Sequence, residues 1–206
     1  MILLSTAYLP PIEYLSFFMQ TDNIQIEQHE NFIKQTYRNR CLIPTANGIL
    51  SLSIPVKKNG LHNCPIKEIE IDYTQPWQRT HWRAIEAAYN ASPFFLYYRD
   101  YLEPFFCQQT IAALFDFNIQ LLNLLLKLFS IKKDYSFTTE YKSLYNEDVK
   151  DYRQLINPKN PQENTNIPPY SQVFSHKKGF ISNMSCMDLL FNEGKLAKDY
   201  LQQIIF

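Results

Sequence analysis

Apolar side chains recur along this chain with two different periods, and the switches between them mark its elements. Residues 2 to 5 form a short apolar run that stops at Thr6 to Pro11, and Ile12 to Met19 resumes with helical spacing, which predicts strand, turn and helix. Asn23 to Glu27 alternates polar and apolar residues, and a polar segment, Gln28 to Arg40, follows. Asn47 and Gly48 separate two strand-like runs, and this pair suits the positive φ values of a tight hairpin turn. Ile66 to Tyr73 alternates apolar with charged side chains, as a strand with one wet face does.

Helical spacing then takes over. Thr80 is placed to cap a helix from His81 to about Ala91, Ser92 and Pro93 to open a second that Pro104 ends, and an apolar helix spans roughly 110 to 129. The texture changes after Asp134. Asn157 to Pro169 holds four prolines among amides and reads as a long loop, either a lid over a site or a mobile segment. Tyr170 to Phe174 is expected to return as a strand. Ser185 to Asp188 resembles a capping box, Met184 and Leu189 fit its hydrophobic staple, Gly194 suits the helix end, and an amphipathic helix closes the chain. The expected architecture is one α/β domain over residues 1–206: a mixed sheet with flanking helices, a β-hairpin and a helical C-terminal half.

Composition narrows the functional classes. Only 4 glycines leave little room for a phosphate-cradling loop. With 20 basic and 20 acidic residues the formal charge is zero, so nucleic-acid binding is not expected and any anion contact must be local. The cysteines at 41, 64, 107 and 186 are scattered, with neither a disulfide framework nor a zinc spacing. No signal peptide is legible at the start, and the most apolar window, Ile111 to Phe129, is interrupted by Asp116, Asn118, Gln120, Asn123 and Lys127. A cytoplasmic protein without membrane insertion is the expectation.

Chemistry is suggested by a few clusters. Arg38, Asn39 and Arg40 follow Tyr37, and paired guanidinium forks bind phosphate or carboxylate; alternatively the arginines pair with Glu27 or Glu30 on a solvated turn. His81, beside Trp82 and Arg83 in an expected first helical turn, is a candidate proton acceptor, or else a structural imidazole. His29 with Glu30 and Lys34 reads as a wet helix face or a site edge. His62, Asn63 and Cys64 lack the further ligands a metal needs, so no metal is expected and a cofactor stays unknown. Asp188 is a substrate ligand or part of the helix cap, and Tyr8 and Tyr170 are candidates for stacking on a sugar. No hydrolase elbow, zinc-protease or P-loop string occurs.

The chain resembles the WbqC-like family of bacterial proteins, in its Bacteroides-type version. Carrying the likeness are Tyr8-Leu9-Pro10, the segments His29 to Arg40, Leu50 to Val56 and His81 to Phe95, and the long stretch Gly179 to Gly194. Two departures stand out: Pro11 where many members have tryptophan, and Tyr152-Arg153-Gln154-Leu155 where the family often has a glycine-containing segment. The resemblance implies a part in surface-polysaccharide or O-antigen assembly, with an anionic sugar or nucleotide sugar as substrate. A weaker likeness is to the layout of HIGH-motif nucleotidylyltransferases, whose defining histidines are missing here. Two functions follow as expectations: a transferase-like enzyme modifying an activated amino sugar, or a non-catalytic binding or scaffolding protein of the same pathway.

Overall fold

A computed structural model describes residues 1–57, 63–108, 110–159 and 166–204. The first apolar run becomes strand β1 (Ile2–Ser5), and the turn after it delivers helix α1 (Ile12–Gln20) and strand β2 (Ile24–Glu27). Two further strands, β5 (Ser136–Phe137) and β6 (Lys150–Asp151), complete a sheet of order β5-β2-β1-β6 in which every pairing is parallel. Neither short strand is legible in the sequence, because two residues show no periodicity. All four strands therefore end on the same side. This places Ser5, Glu27, Thr138 and Asp151 along one edge.

The expected hairpin forms from β3 (Arg40–Thr45) and β4 (Gly48–Ser53), paired antiparallel with Thr45 opposite Gly48. Its turn sits one residue earlier than expected. Ala46 and Asn47 are the loop, and only Gly48 takes a positive φ, 115°, as the residue that ends it. Ile66 to Tyr73 is not a strand. Pro65, at φ −55°, leads into a 3-10 turn over Ile66–Glu68, and the rest makes single bridges from Ile71 to Val56 and from Glu70 to Ala113. Ile66, Ile69 and Ile71 are all buried, a spacing that fits no period of two.

Helix α2 (Trp77–Tyr89) begins a turn earlier than its expected cap. The Thr80 hydroxyl is bonded inside it, to the Pro76 carbonyl at 3.1 Å. Helix α3 (Phe95–Cys107) runs through Pro104, which sits in its last turn and removes a single ladder bond without ending it. Helix α4 (Leu114–Leu128) is the apolar one, and its polar residues, Asp116, Asn118, Gln120, Asn123 and Lys127, do not stop Leu114, Phe117, Leu121 and Leu125 from being fully buried. Residues 170–174 form no strand. After the short helix α5 (Ser175–Lys178), α6 (Cys186–Glu193) and α7 (Ala197–Gln202) close the chain, with α1 packed against both. Ser185 caps α6 by accepting from the Met187 N–H at 3.4 Å, and Gly194 ends it at φ 58°. Of the proline-rich loop 157–169, residues 160–165 lie outside the described residues, as does His62.

Candidate functional site

In an open parallel sheet, strand ends leave backbone groups unpaired and the chain turns away, so a crevice opens outside the carboxyl ends. Here it is a cavity of about 220 Å³ lined by His29, Glu30, Asn31, Ile33, Tyr141, Ser143, Asp151, Arg153 and Gln154. Five charged side chains organise it. Arg153 donates to Glu27 at 3.1 Å, and clasps Asp151 through its Nε and Nη2 at 2.6–3.1 Å. Arg38 forks onto both oxygens of Glu30, and its Nη2 also reaches the Ser5 hydroxyl at 2.7 Å. Glu27, Glu30, Arg38 and Arg153 are all buried. Burial raises the Glu30 carboxyl above its ordinary range, against the lowering effect of Arg38.

Both arginines are fully engaged by carboxylates and carbonyls, so they act as fixtures. The Arg153 guanidinium also lies over the rings of Tyr141 and Tyr145, at 5.0 and 5.2 Å from their centroids. Three carboxylates face two guanidiniums, which leaves the crevice with a surplus of acceptors. Such a lining suits hydroxyl and ammonium donors better than a bare phosphate.

His29, exposed at the mouth, is oriented by its neighbours. Its ring Nε2 lies 3.1 Å from the Thr138 carbonyl, which only accepts, so the ring proton sits on Nε2 and Nδ1 is left as the acceptor in the neutral imidazole. Thr138 is itself fixed by donating to Glu27 at 2.7 Å, and Glu27 accepts from the His29 backbone N–H at 2.7 Å. A carboxylate, a hydroxyl and a carbonyl thus set one imidazole from behind. No helix forms over 28–40, so His29 stands on a strand-end loop and not on a helix face.

The residues expected from the sequence fall into three groups. Arg38 belongs to the strand-end network, pairing with Glu30 in a buried contact and not on a solvated turn. Tyr8 and His81 form a second group: the Tyr8 hydroxyl and His81 Nδ1 are 2.8 Å apart in the core, and the ring's other hydrogen bond is to the Ser53 backbone. Burial lowers the His81 pKa to about 4, and the helix terminus is not the cause, because His81 sits in the second turn of α2. Asn39 and Arg40 attach to the same strand end, Asn39 Nδ2 donating to the Ile54 carbonyl at 2.9 Å and Arg40 Nε to the Ser53 hydroxyl at 3.2 Å.

Tyr170 and Asp188 make the third group. Their side chains hydrogen-bond directly, and Gln172 donates to the same carboxyl oxygen at 2.8 Å. The Tyr89 hydroxyl is buried beside this carboxyl without a well-aligned bond. Asp188 therefore does not return to the helix cap, and burial pushes its pKa up to about 6. Among the described residues no group of three or more His, Cys, Asp or Glu is arranged to hold a metal, and no helix is long and apolar enough to cross a membrane.

Asp151, Arg153 and Thr138 escaped the sequence reading because each depends on a two-residue strand for its place. The one available signal was Arg153, which stands in the segment that departs from the family pattern. Comparison with known proteins agrees with the resemblance. The family model described as "WbqC-like protein family" matches residues 6–165. A curated relative, "Uncharacterized protein Rv1507c" from Mycobacterium tuberculosis, is 28% identical over 223 residues, covering 95% of this chain and 94% of the relative. No solved structure matches the chain.

Proposed function

We propose that this chain, which belongs to the WbqC-like protein family, is a transferase-like enzyme that modifies an activated amino sugar in the strand-end crevice. The carrying observation is His29, whose proton is held on Nε2 by the Thr138 carbonyl. Its Nδ1 is then suited to take the proton of a sugar hydroxyl or neutral amine as that group attacks the carbonyl carbon of an acyl or aminoacyl donor, whose carrier leaves with the electron pair of the broken acyl bond. Glu30 and Asp151, held by Arg38 and Arg153, accept hydroxyl and ammonium hydrogens and fix the ring, with exposed Tyr141 as a stacking face. At about 220 Å³ the cavity is smaller than the roughly 300–1,000 Å³ of a drug-sized pocket, so it takes one sugar ring and leaves a nucleotide outside. There the exposed Lys34 and Lys67, the latter bonded to Gln28 at 3.2 Å, are the cations for a diphosphate. A part in surface-glycan precursor synthesis is what the family resemblance adds.

Isothermal calorimetry and turnover assays against nucleotide-linked amino sugars, with acyl and aminoacyl donors, test this. Tyr141→Ala is expected to weaken binding about tenfold, as loss of an aromatic contact does. His29→Ala is expected to keep affinity and lose about 10²–10⁴ of turnover. If no small molecule binds while purified proteins of the same pathway do, the non-catalytic reading replaces this one.

A further inference from the structure

The carbonyl that sets the His29 ring has a second donor. Thr138 O lies 3.1 Å from His29 Nε2 and accepts from Gln28 Nε2 at 2.7 Å, so both of its lone pairs are taken. Gln28 is held at its other end as well, where its side-chain Oε1 accepts from Lys67 Nζ at 3.2 Å. A carbonyl only accepts and an ammonium only donates, so one orientation of the amide satisfies both. The Gln28 backbone N–H donates to the Thr138 hydroxyl at 3.2 Å, which keeps the residue against the same partner.

Lys67 is exposed, but its backbone has a firm mount. It stands on the 3-10 turn Ile66–Glu68, and that turn is fastened to the loop carrying His29: the Ile66 N–H donates to the Glu30 carbonyl at 2.8 Å and the Phe32 N–H to the Cys64 carbonyl at 2.9 Å. A continuous row of hydrogen bonds thus runs from an exposed ammonium through Gln28 and Thr138 to the proton of the imidazole. Lysine has three N–H donors and Gln28 uses one, so an anion can bind Lys67 without releasing the amide. A lysine on the surface is a mobile point charge, and one held between an anion and Gln28 loses that freedom, as does the amide it pins. We infer that Gln28 is a positioning residue that couples the anion position at Lys67 to the His29 ring. A diphosphate on Lys67 fixes the amide, the amide fixes the Thr138 carbonyl, and the carbonyl holds the ring with its proton on Nε2. The coupling rests on the proposed function only in taking the anion to be the diphosphate of a nucleotide sugar. The portion of the substrate left outside the crevice then serves the chemical step as well as binding, since remote binding energy is spent on orientation.

Nitrogen-15 spectra of the histidine rings in the full chain test this, with inorganic pyrophosphate as the probe at about pH 8.5, where an ordinary imidazole is neutral. The His29 signals are those missing from His29→Gln. Pyrophosphate is expected to move them further toward the Nε2-protonated tautomer in the unmodified protein, and to leave them unmoved in Gln28→Ala and in Lys67→Ala. In turnover of a nucleotide-linked amino sugar, Gln28→Ala is expected to lower kcat about 10- to 100-fold at unchanged KM. No response of His29 to pyrophosphate, or a response that survives Gln28→Ala, overturns the coupling. A loss carried by KM alone makes Gln28 a binding contact and overturns its positioning role. A Gln28-dependent response in a protein that turns over no nucleotide sugar upholds the coupling and removes the proposed activity.

Discussion

Two buried titratable side chains pull the stability of this protein in opposite directions over the same pH range. Asp188 has its pKa raised by burial from 3.8 to about 6, so the folded form holds its proton more tightly, and stability present below about pH 4 is lost as pH rises through 6. His81 has its pKa lowered by burial from 6.5 to about 4, so stability present above 6.5 is lost as pH falls through 4. Each effect amounts to about 3 kcal/mol at 1.36 kcal/mol per pKa unit, and between pH 4 and 6 they offset one another. Urea denaturation should therefore show Asp188→Asn gaining about 3 kcal/mol on the unmodified protein between pH 4 and 7, and His81→Gln gaining a similar amount from pH 7 down to 4. A flat difference for either variant would mean that its side chain keeps an ordinary pKa. The pairing of these groups was hidden in the sequence for a simple reason: Tyr8 and His81, like Tyr170 and Asp188, are brought together only by tertiary packing. What was legible was that Tyr8, His81, Tyr170 and Asp188 were unusual residues, and not which neighbour each would find.

At the level of elements, long periodic segments were readable and short ones were not. The strand at 2–5, helix α1 and the hairpin follow from apolar spacing and a turn glycine, whereas β5 and β6, two residues each, are strands only because β2 and β1 present open edges to them. Residues 66–73 misled because alternation imitates a strand, while Pro65 and the burial of Ile66, Ile69 and Ile71 require a turn and an extended crossing. The site inherits this asymmetry. Arg38 and the histidines stood out as sequence, but Asp151 and Arg153 acquire meaning only once β6 lies beside β1. The Arg38–Glu30 pair ties the loop after β2 to the end of β1 through Ser5. Arg38→Met would strand a buried carboxylate and is expected to cost about 3–5 kcal/mol in urea unfolding, while the double variant with Glu30→Leu should recover much of that loss. If the single variant costs under about 1 kcal/mol, the pair is not buried in solution as described.

For the molecule as a whole, the parallel sheet gathers the ends of all four strands at one edge, and a polar crevice opens there with a surplus of carboxylates and one oriented imidazole. The central claim is that the crevice, and not the Tyr8–His81 pair or the Tyr170–Asp188 cluster, receives the substrate. A crystal structure of the protein soaked with a nucleotide-linked amino sugar tests it most directly. The account predicts density for the sugar ring between His29, Glu30, Asp151 and Tyr141, with the nucleotide outside near Lys67. Sugar density against Tyr170 and Asp188 or around His81, with the strand-end crevice empty, would contradict it.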